Sequence, residues 1–161
     1  MEDENYQKLR DYALKLLSFR PRSSREISTK LRQFSAKRNF SDKLVEQIIE
    51  ELREQKFLDD KEFVRWWIEQ RQSFRPKGLR AIKTELLNKG IDKEIIDVVF
   101  AADKGKMNEY DLALKVINKK LIHLSHLSTE KKKIKIRDLL LRRGFDWDVI
   151  YKVIDSTFEK A

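Results

Sequence analysis

One pattern recurs three times along the chain and constrains the fold more than any other feature. Sliding the sequence over itself aligns EISTKL (26–31), AIKTELLNKGIDKEII (81–96) and KIRDLLLRRGFDWDVI (135–150). Ile27, Ile82 and Ile136 correspond, and four residues later come Leu31, Leu86 and Leu140, on the same side of a helix. Steps of 55 and 54 residues separate the copies. In copies two and three a glycine, Gly90 or Gly144, follows where a helix ends in a left-handed cap, and then an apolar residue, Ile91 or Phe145. Copy one departs from this. Its stretch Gln33 to Asn39 is four residues longer and ends in Asn39, the side chain that best tolerates such a cap after glycine.

Each copy then opens a further helix in the same way. Ser41, Asp92 or Asp146 stands as N-cap, placed to accept hydrogen bonds from orphaned backbone N–H groups. The pairs Phe40 with Val45, Ile91 with Ile96 and Phe145 with Ile150 have the spacing of a hydrophobic staple. Another helix precedes each pair, over about residues 5–19, 60–74 and 108–123, with Asp59 or Asp60 as N-cap of the second. Ser23-Ser24-Arg25-Glu26 reads as a capping box for the basic helix of copy one, and Pro76 suits the first turn of its counterpart. Only four glycines and two prolines punctuate 161 residues, too few for the turns of a sheet-rich chain. The expected fold is therefore all-α: three tandem three-helix, helix-turn-helix-like repeats over 1–58, 59–104 and 105–161. Each repeat has its own apolar face, which favours an array of neighbours over one bundle.

The net charge of +9 is unevenly spread. Residues 20–38 hold seven Lys and Arg against one acid, 71–83 hold five against none, and 131–143 hold seven against one, so the rest of the chain is net acidic. Three basic segments on an acidic helical body are the footprint of a polyanion-binding surface. In copy two, Leu79, Ile82 and Leu86 form the buried stripe of the basic helix, and Lys77, Arg80, Thr84 and Asn88 fall opposite. Arg20 and Arg22 around Pro21, and Arg71 and Arg75 before Pro76, extend the positive strip into loops beside helix N-termini, where backbone N–H groups also favour anions.

No catalytic constellation emerges. The chain has no cysteine, hence no disulfide and no thiolate, as a reducing cytoplasm permits. Its longest apolar run, Val98 to Ala102, is far short of the roughly 20 residues that span a bilayer. His123 and His126 share a helical turn, but two ligands without a carboxylate make no metal site. Gly105-Lys106 resembles the end of a phosphate-binding loop but lacks its first glycine and its Ser or Thr. Neither cofactor nor enzymatic activity is expected. Trp66 and Trp67 cannot both face one core, so one is expected against Phe63 and the other at an interface. Ile134, Leu141 and Leu87 lie off the buried stripes and are expected to pack on the adjacent repeat, with a partner-binding patch as the alternative.

These residues resemble the RecX family, regulators of the RecA recombinase. RPRSSREISTKL (20–31), FLDDKEFV (57–64) and RPKGLRAIKTELLNKGI (75–91) carry the likeness most specifically, and it extends over about Tyr12 to Phe158. The resemblance implies an elongated, curved body lying in the groove of a RecA filament on DNA, where it suppresses ATP hydrolysis, coprotease activity and strand exchange. Weak contact with single- and double-stranded DNA, without sequence preference, is expected of a monomeric cytoplasmic protein that avoids membranes. The contact strip comprises Arg20, Arg22, Arg25, Lys30 and Arg32 in the first segment, and Arg71, Arg75, Lys77, Arg80 and Lys83 in the second. Lys131, Lys132, Lys133, Lys135, Arg137 and Arg142 complete it. The same composition also fits a stand-alone basic helical DNA-binding protein, or a helical scaffold whose charged faces are merely solvated.

Overall fold

A computed structural model describes residues 1–103 and 108–159; Gly105-Lys106 and the expected boundary at 104/105 lie outside them. The described residues contain helices and no strand. The first repeat holds α1 (Glu2–Phe19), α2 (Ser24–Ala36) and α3 (Asp42–Glu54). The second holds α4 (Asp60–Ser73), α5 (Leu79–Asn88) and α6 (Lys93–Ala102). The third holds α7 (Glu109–Leu121), a single 3-10 turn (Ile122–Leu124), α8 (Thr129–Arg142) and α9 (Trp147–Phe158).

The middle helices end as the repeat demands. Asn39, Gly90 and Gly144 take φ of 56°, 81° and 81°. The next residue's N–H then returns to a carbonyl five back: Phe40 to Ser35, Ile91 to Leu86, Phe145 to Leu140. Counted back from the cap, Ser35 stands where the sister repeats bury Leu86 and Leu140. The four extra residues of copy one are thus one additional turn at the C-terminal end of α2. Ser35 is buried there, and its Oγ has no hydrogen-bond partner among the described residues. Ile136 follows its N-cap, Ser128, by eight residues, against four from Ser23 to Ile27, so α8 gains its extra turn at the opposite end.

Several caps differ from expectation. Ser23 accepts from the N–H of Glu26, but the Glu26 carboxylate takes two arginines, so only half of the capping box forms. Ser41 caps α3 through the N–H of Lys43, whereas the Asp146 side chain makes no capping bond. Asp59 is the N-cap of α4, accepting from Lys61 and Glu62, and this leaves Asp60 free for another partner. Pro76 and Lys77 precede α5 instead of opening it, because the irregular stretch before the helix runs through Gly78.

The chain divides into two compact units, and the division falls inside α4, α5 and α6. One comprises Met1–Trp66 with Leu86–Val99; the other comprises Trp67–Glu85 with the residues from Phe100 onward. The first has a core of Leu9, Ile27, Leu31, Val45, Ile48 and Leu52. The second packs Leu112, Ile117, Ile136, Leu140, Phe145 and Ile150.

Each unit contains a seam between consecutive repeats, and the two seams use one device. In the first unit, the N–H of Ser24, first in α2, donates to Asp60 Oδ1 at 2.8 Å, and Ser23 Oγ donates to the Lys89 carbonyl at 3.1 Å. In the second unit, the N–H of Leu79, first in α5, donates to Glu109 Oε1 at 2.6 Å, and the Gly78 N–H donates to the Arg143 carbonyl at 2.8 Å. Asp60 and Glu109 are the first residues of α4 and α7. The middle helix of one repeat is therefore capped by the opening acid of the next and seated on that repeat's left-handed turn. A Cβ at Gly90 would come within 2.0 Å of Arg25 Cδ, and one at Gly144 within 2.3 Å of Ala81 Cβ. Asn39, which is exposed, carries the side chain that neither seam has room for.

Candidate polyanion-binding surfaces

The first basic segment spends two of its arginines internally. Glu26 accepts from Arg20 through both carboxylate oxygens, at 2.6 and 3.2 Å, and from Arg22 at 2.7 Å; Arg22 Nε also reaches the Leu16 carbonyl at 3.0 Å. Burial by itself would raise the Glu26 pKa, but Arg20 and then Arg22 outweigh it and hold the carboxyl below its ordinary value. Arg25 and Arg32 are exposed and Lys30 is half-buried.

The second segment repeats this arrangement with different spacing. Glu85 collects Lys77, Arg71 Nε at 2.8 Å and the Trp67 indole N–H at 2.9 Å. Burial again opposes ionisation, and the bonds from Lys77, Arg71 and Trp67 overcome it, so the Glu85 pKa is lowered. The Arg71 guanidinium also lies over the Trp67 ring, 4.7 Å from its centroid. Lys77 and Arg71 thus tie down the two sides of the loop before α5, which corrects the placement of Lys77 on the outer face of that helix. Arg75 is exposed, Lys83 is half-buried, and exposed Arg80 reaches the Leu141 carbonyl at 3.4 Å.

At the N-termini of α2 and α5 an acid of the next repeat occupies the first backbone donor. Their first N–H groups already donate to Asp60 and Glu109. On α8, Lys131, Lys135 and Arg142 are exposed and Lys132 is half-buried, while Lys133 pairs with Glu130 at 3.7 Å and Arg137 with Asp138 at 3.2 Å.

Two concavities differ sharply in charge. One, of about 610 Å³ in the first unit, sets Arg25, Arg32 and Arg53 against Glu46, Glu50, Asp60 and Asp92. The other, of about 930 Å³ in the second unit, is lined by Arg75, Lys115, Lys119, Lys120, His123 and Arg143, with no acidic residue in its wall. Among the described residues, no carboxylate pairs with Arg75, Lys115, Lys119 or Lys120. Sequence reading missed the three α7 lysines because Glu109 and Asp111 in the first turn dilute the local charge. The usable signal was the i, i+4 spacing of Lys115 and Lys119, which places both on one face.

The aromatic and apolar residues sort as follows. Trp66 packs on Phe63 with centroids 5.8 Å apart, and Trp67 serves the Glu85 cluster. Leu141 packs on the core of the second unit. Leu87 and Ile134 remain 42% and 49% exposed, contrary to the packing expected of them. No helix among the described residues is long and apolar enough to cross a membrane.

Comparison with known proteins matches every repeat in chain order. Family models match as RecX, first three-helix domain, over residues 10–52; second three-helix domain, over 59–99; and third three-helix domain, over 108–154. Regulatory protein RecX of Clostridium acetobutylicum is 31% identical over 99% of this chain and 73% of its own length. That of Chlorobium limicola is 30% identical over 99% and 95%. The crystal structure of RecX from Lactobacillus salivarius superposes with a TM-score of 0.82 at 26% identity, covering 96% of this chain and 97% of that one.

Proposed function

The chain belongs to the RecX family, whose matched members are named regulatory proteins, and from that we propose that it binds RecA filaments on DNA and restrains them. It lowers ATP hydrolysis, strand exchange and coprotease activity without catalysis or a cofactor of its own, and it works as a cytoplasmic monomer. One observation carries this reading: all three repeats match successive domains of one family of regulators, so the whole three-repeat body is retained. A partner made of identical subunits suits such a body, because several modest contacts in one chain add through effective concentration.

The contacts come from cations outside the internal ion pairs. Arg25, Arg32, Arg80, Lys131, Lys135 and Arg142 are exposed and reach acidic protein or phosphate as point charges, which gives weak DNA contact without sequence preference. Arg20, Arg22, Arg71 and Lys77 act one step back, by holding the loops between first and middle helices.

The test is to titrate the chain into RecA of its own organism hydrolysing ATP on single-stranded DNA at two salt concentrations. Inhibition is expected well below one molecule per RecA protomer, and weaker at the higher salt. No inhibition at any ratio would overturn the reading and leave a stand-alone DNA-binding protein.

A further inference from the structure

We infer that the acid-free cleft of the second unit is a phosphate-binding site that takes the backbone of a single nucleic-acid strand. Its walls come from the end of α4, the loop before α5, the outer face of α7 and the end of α8. At the two basic loops and in the other concavity acids answer the cations: Glu26 takes Arg20 and Arg22, Glu85 takes Arg71 and Lys77, and four acids face three arginines. In this cleft the cations face one another around an open space with nothing to balance them. A concavity that gathers like charge without internal compensation is arranged for an external anion.

The wall is also fixed in position. Arg143 Nη1 donates to the Pro76 carbonyl at 3.2 Å, while the Arg143 carbonyl accepts from the Gly78 N–H at 2.8 Å, clamping the loop to the end of α8. Just before Pro76, Arg75 takes φ 54°, a conformation that costs a non-glycine residue energy and that surrounding structure must maintain.

Phosphate groups come either from a strand or from a free nucleotide. Five Arg and Lys side chains exceed the charge of a triphosphate and match several successive phosphodiesters, which favours the strand. The inference rests on the filament reading for the identity of the strand; the phosphate chemistry stands on the cleft alone.

The probe is a fluorescent oligothymidylate titrated with the full chain, read by anisotropy over a range of salt. Lys115 and Lys119 are exposed and unpaired among the described residues, so K115Q/K119Q keeps the fold, which circular dichroism checks. This variant is expected to bind about tenfold more weakly, with its salt slope reduced by about 1.4, the share of two lost contacts to a single strand. K43Q/K93Q removes the same charge from two exposed lysines outside the three basic segments and should stay within about twofold of the parent. Equal losses in the two lysine pairs, or none in K115Q/K119Q, would overturn the site. Stoichiometric displacement of the strand by ATP would overturn the strand in favour of a free nucleotide. A K115Q/K119Q variant that inhibits RecA normally but has lost the strand leaves the cleft standing apart from filament binding. A parent that binds the strand without inhibiting RecA removes only the filament reading.

Discussion

The two seams between repeats share a backbone plan and differ in everything around it. Both seat a middle helix on the next repeat's left-handed turn and cap it with that repeat's first acid, Asp60 in one case and Glu109 in the other. At the first seam the donor to the carbonyl before the cap glycine is a side chain, Ser23 Oγ; at the second it is the backbone N–H of Gly78. The concavity beside the first seam balances acids against cations, and the one beside the second holds cations only. A joint made mostly from backbone groups and cap positions leaves its flanks free to diverge, so one repeated joint can support a neutral face in one place and an anion site in another.

The largest expected effect exploits the backbone contact at the second seam. A Cβ at Gly78 would lie 2.2 Å from the Gly144 carbonyl oxygen, which cannot move without shifting the end of α8. Gly78→Ala should lose about 3 kcal/mol of stability, at the upper end of overpacking costs. Gly90→Ala meets the flexible Arg25 side chain instead, and its loss of about 1–2 kcal/mol is mainly the strain of φ 81°. Urea unfolding of both variants decides the point: equal losses would mean that the second seam is no tighter than the first.

Next in size are the carboxylates that brace the loops beside the seams. Glu85→Gln weakens bonds to Arg71, Lys77 and Trp67 and should cost about 2 kcal/mol, while Glu26→Gln, with two partners, should cost about 1 kcal/mol. Both carboxyls titrate below their ordinary value of 4.5 in the folded chain. The stability they add is therefore complete above pH 4.5 and is lost as the pH falls through the lowered values. Each variant should converge on the parent in acid, and a constant gap across the pH range would rule out this origin of the loss.

How far the sequence discloses these features depends on whether they are local. Apolar spacing, left-handed caps and N-cap serines act within a few residues, so three tandem three-helix repeats can be read directly, down to Asn39 in place of a glycine. The basic segments are equally visible as composition. What composition conceals is pairing: Glu85 lies eight residues from Lys77 and fourteen from Arg71, and no periodicity marks it as their common acceptor. The seam acids are hidden in the same way, because Asp60 and Glu109 look like ordinary first-turn residues until another repeat's helix meets them. Lys115, Lys119 and Lys120 gain meaning only when α7 faces the loop before α5.

The smallest effect tests the seam acids themselves and has the opposite sign. Glu109 is pushed above its ordinary 4.5 by burial and, in lesser part, by the neighbouring charge of Asp146, against the lowering influence of the Leu79 N–H and Arg80. A raised folded value means that protonation favours the folded state: its contribution is complete below pH 4.5 and is lost as the pH rises through the folded value. At pH near 7 the ionised carboxylate is thus a net cost, accepted for the cap it provides. Glu109→Gln keeps an acceptor for the Leu79 N–H and discards the charge, so it should be slightly more stable than the parent at neutral pH, by about 0.5 kcal/mol. That gain should vanish as the solution is acidified below 4.5. Thermal unfolding at the two pH values measures it, and a variant less stable than the parent at neutral pH would show that the second seam needs the charge of Glu109 and not merely its oxygen.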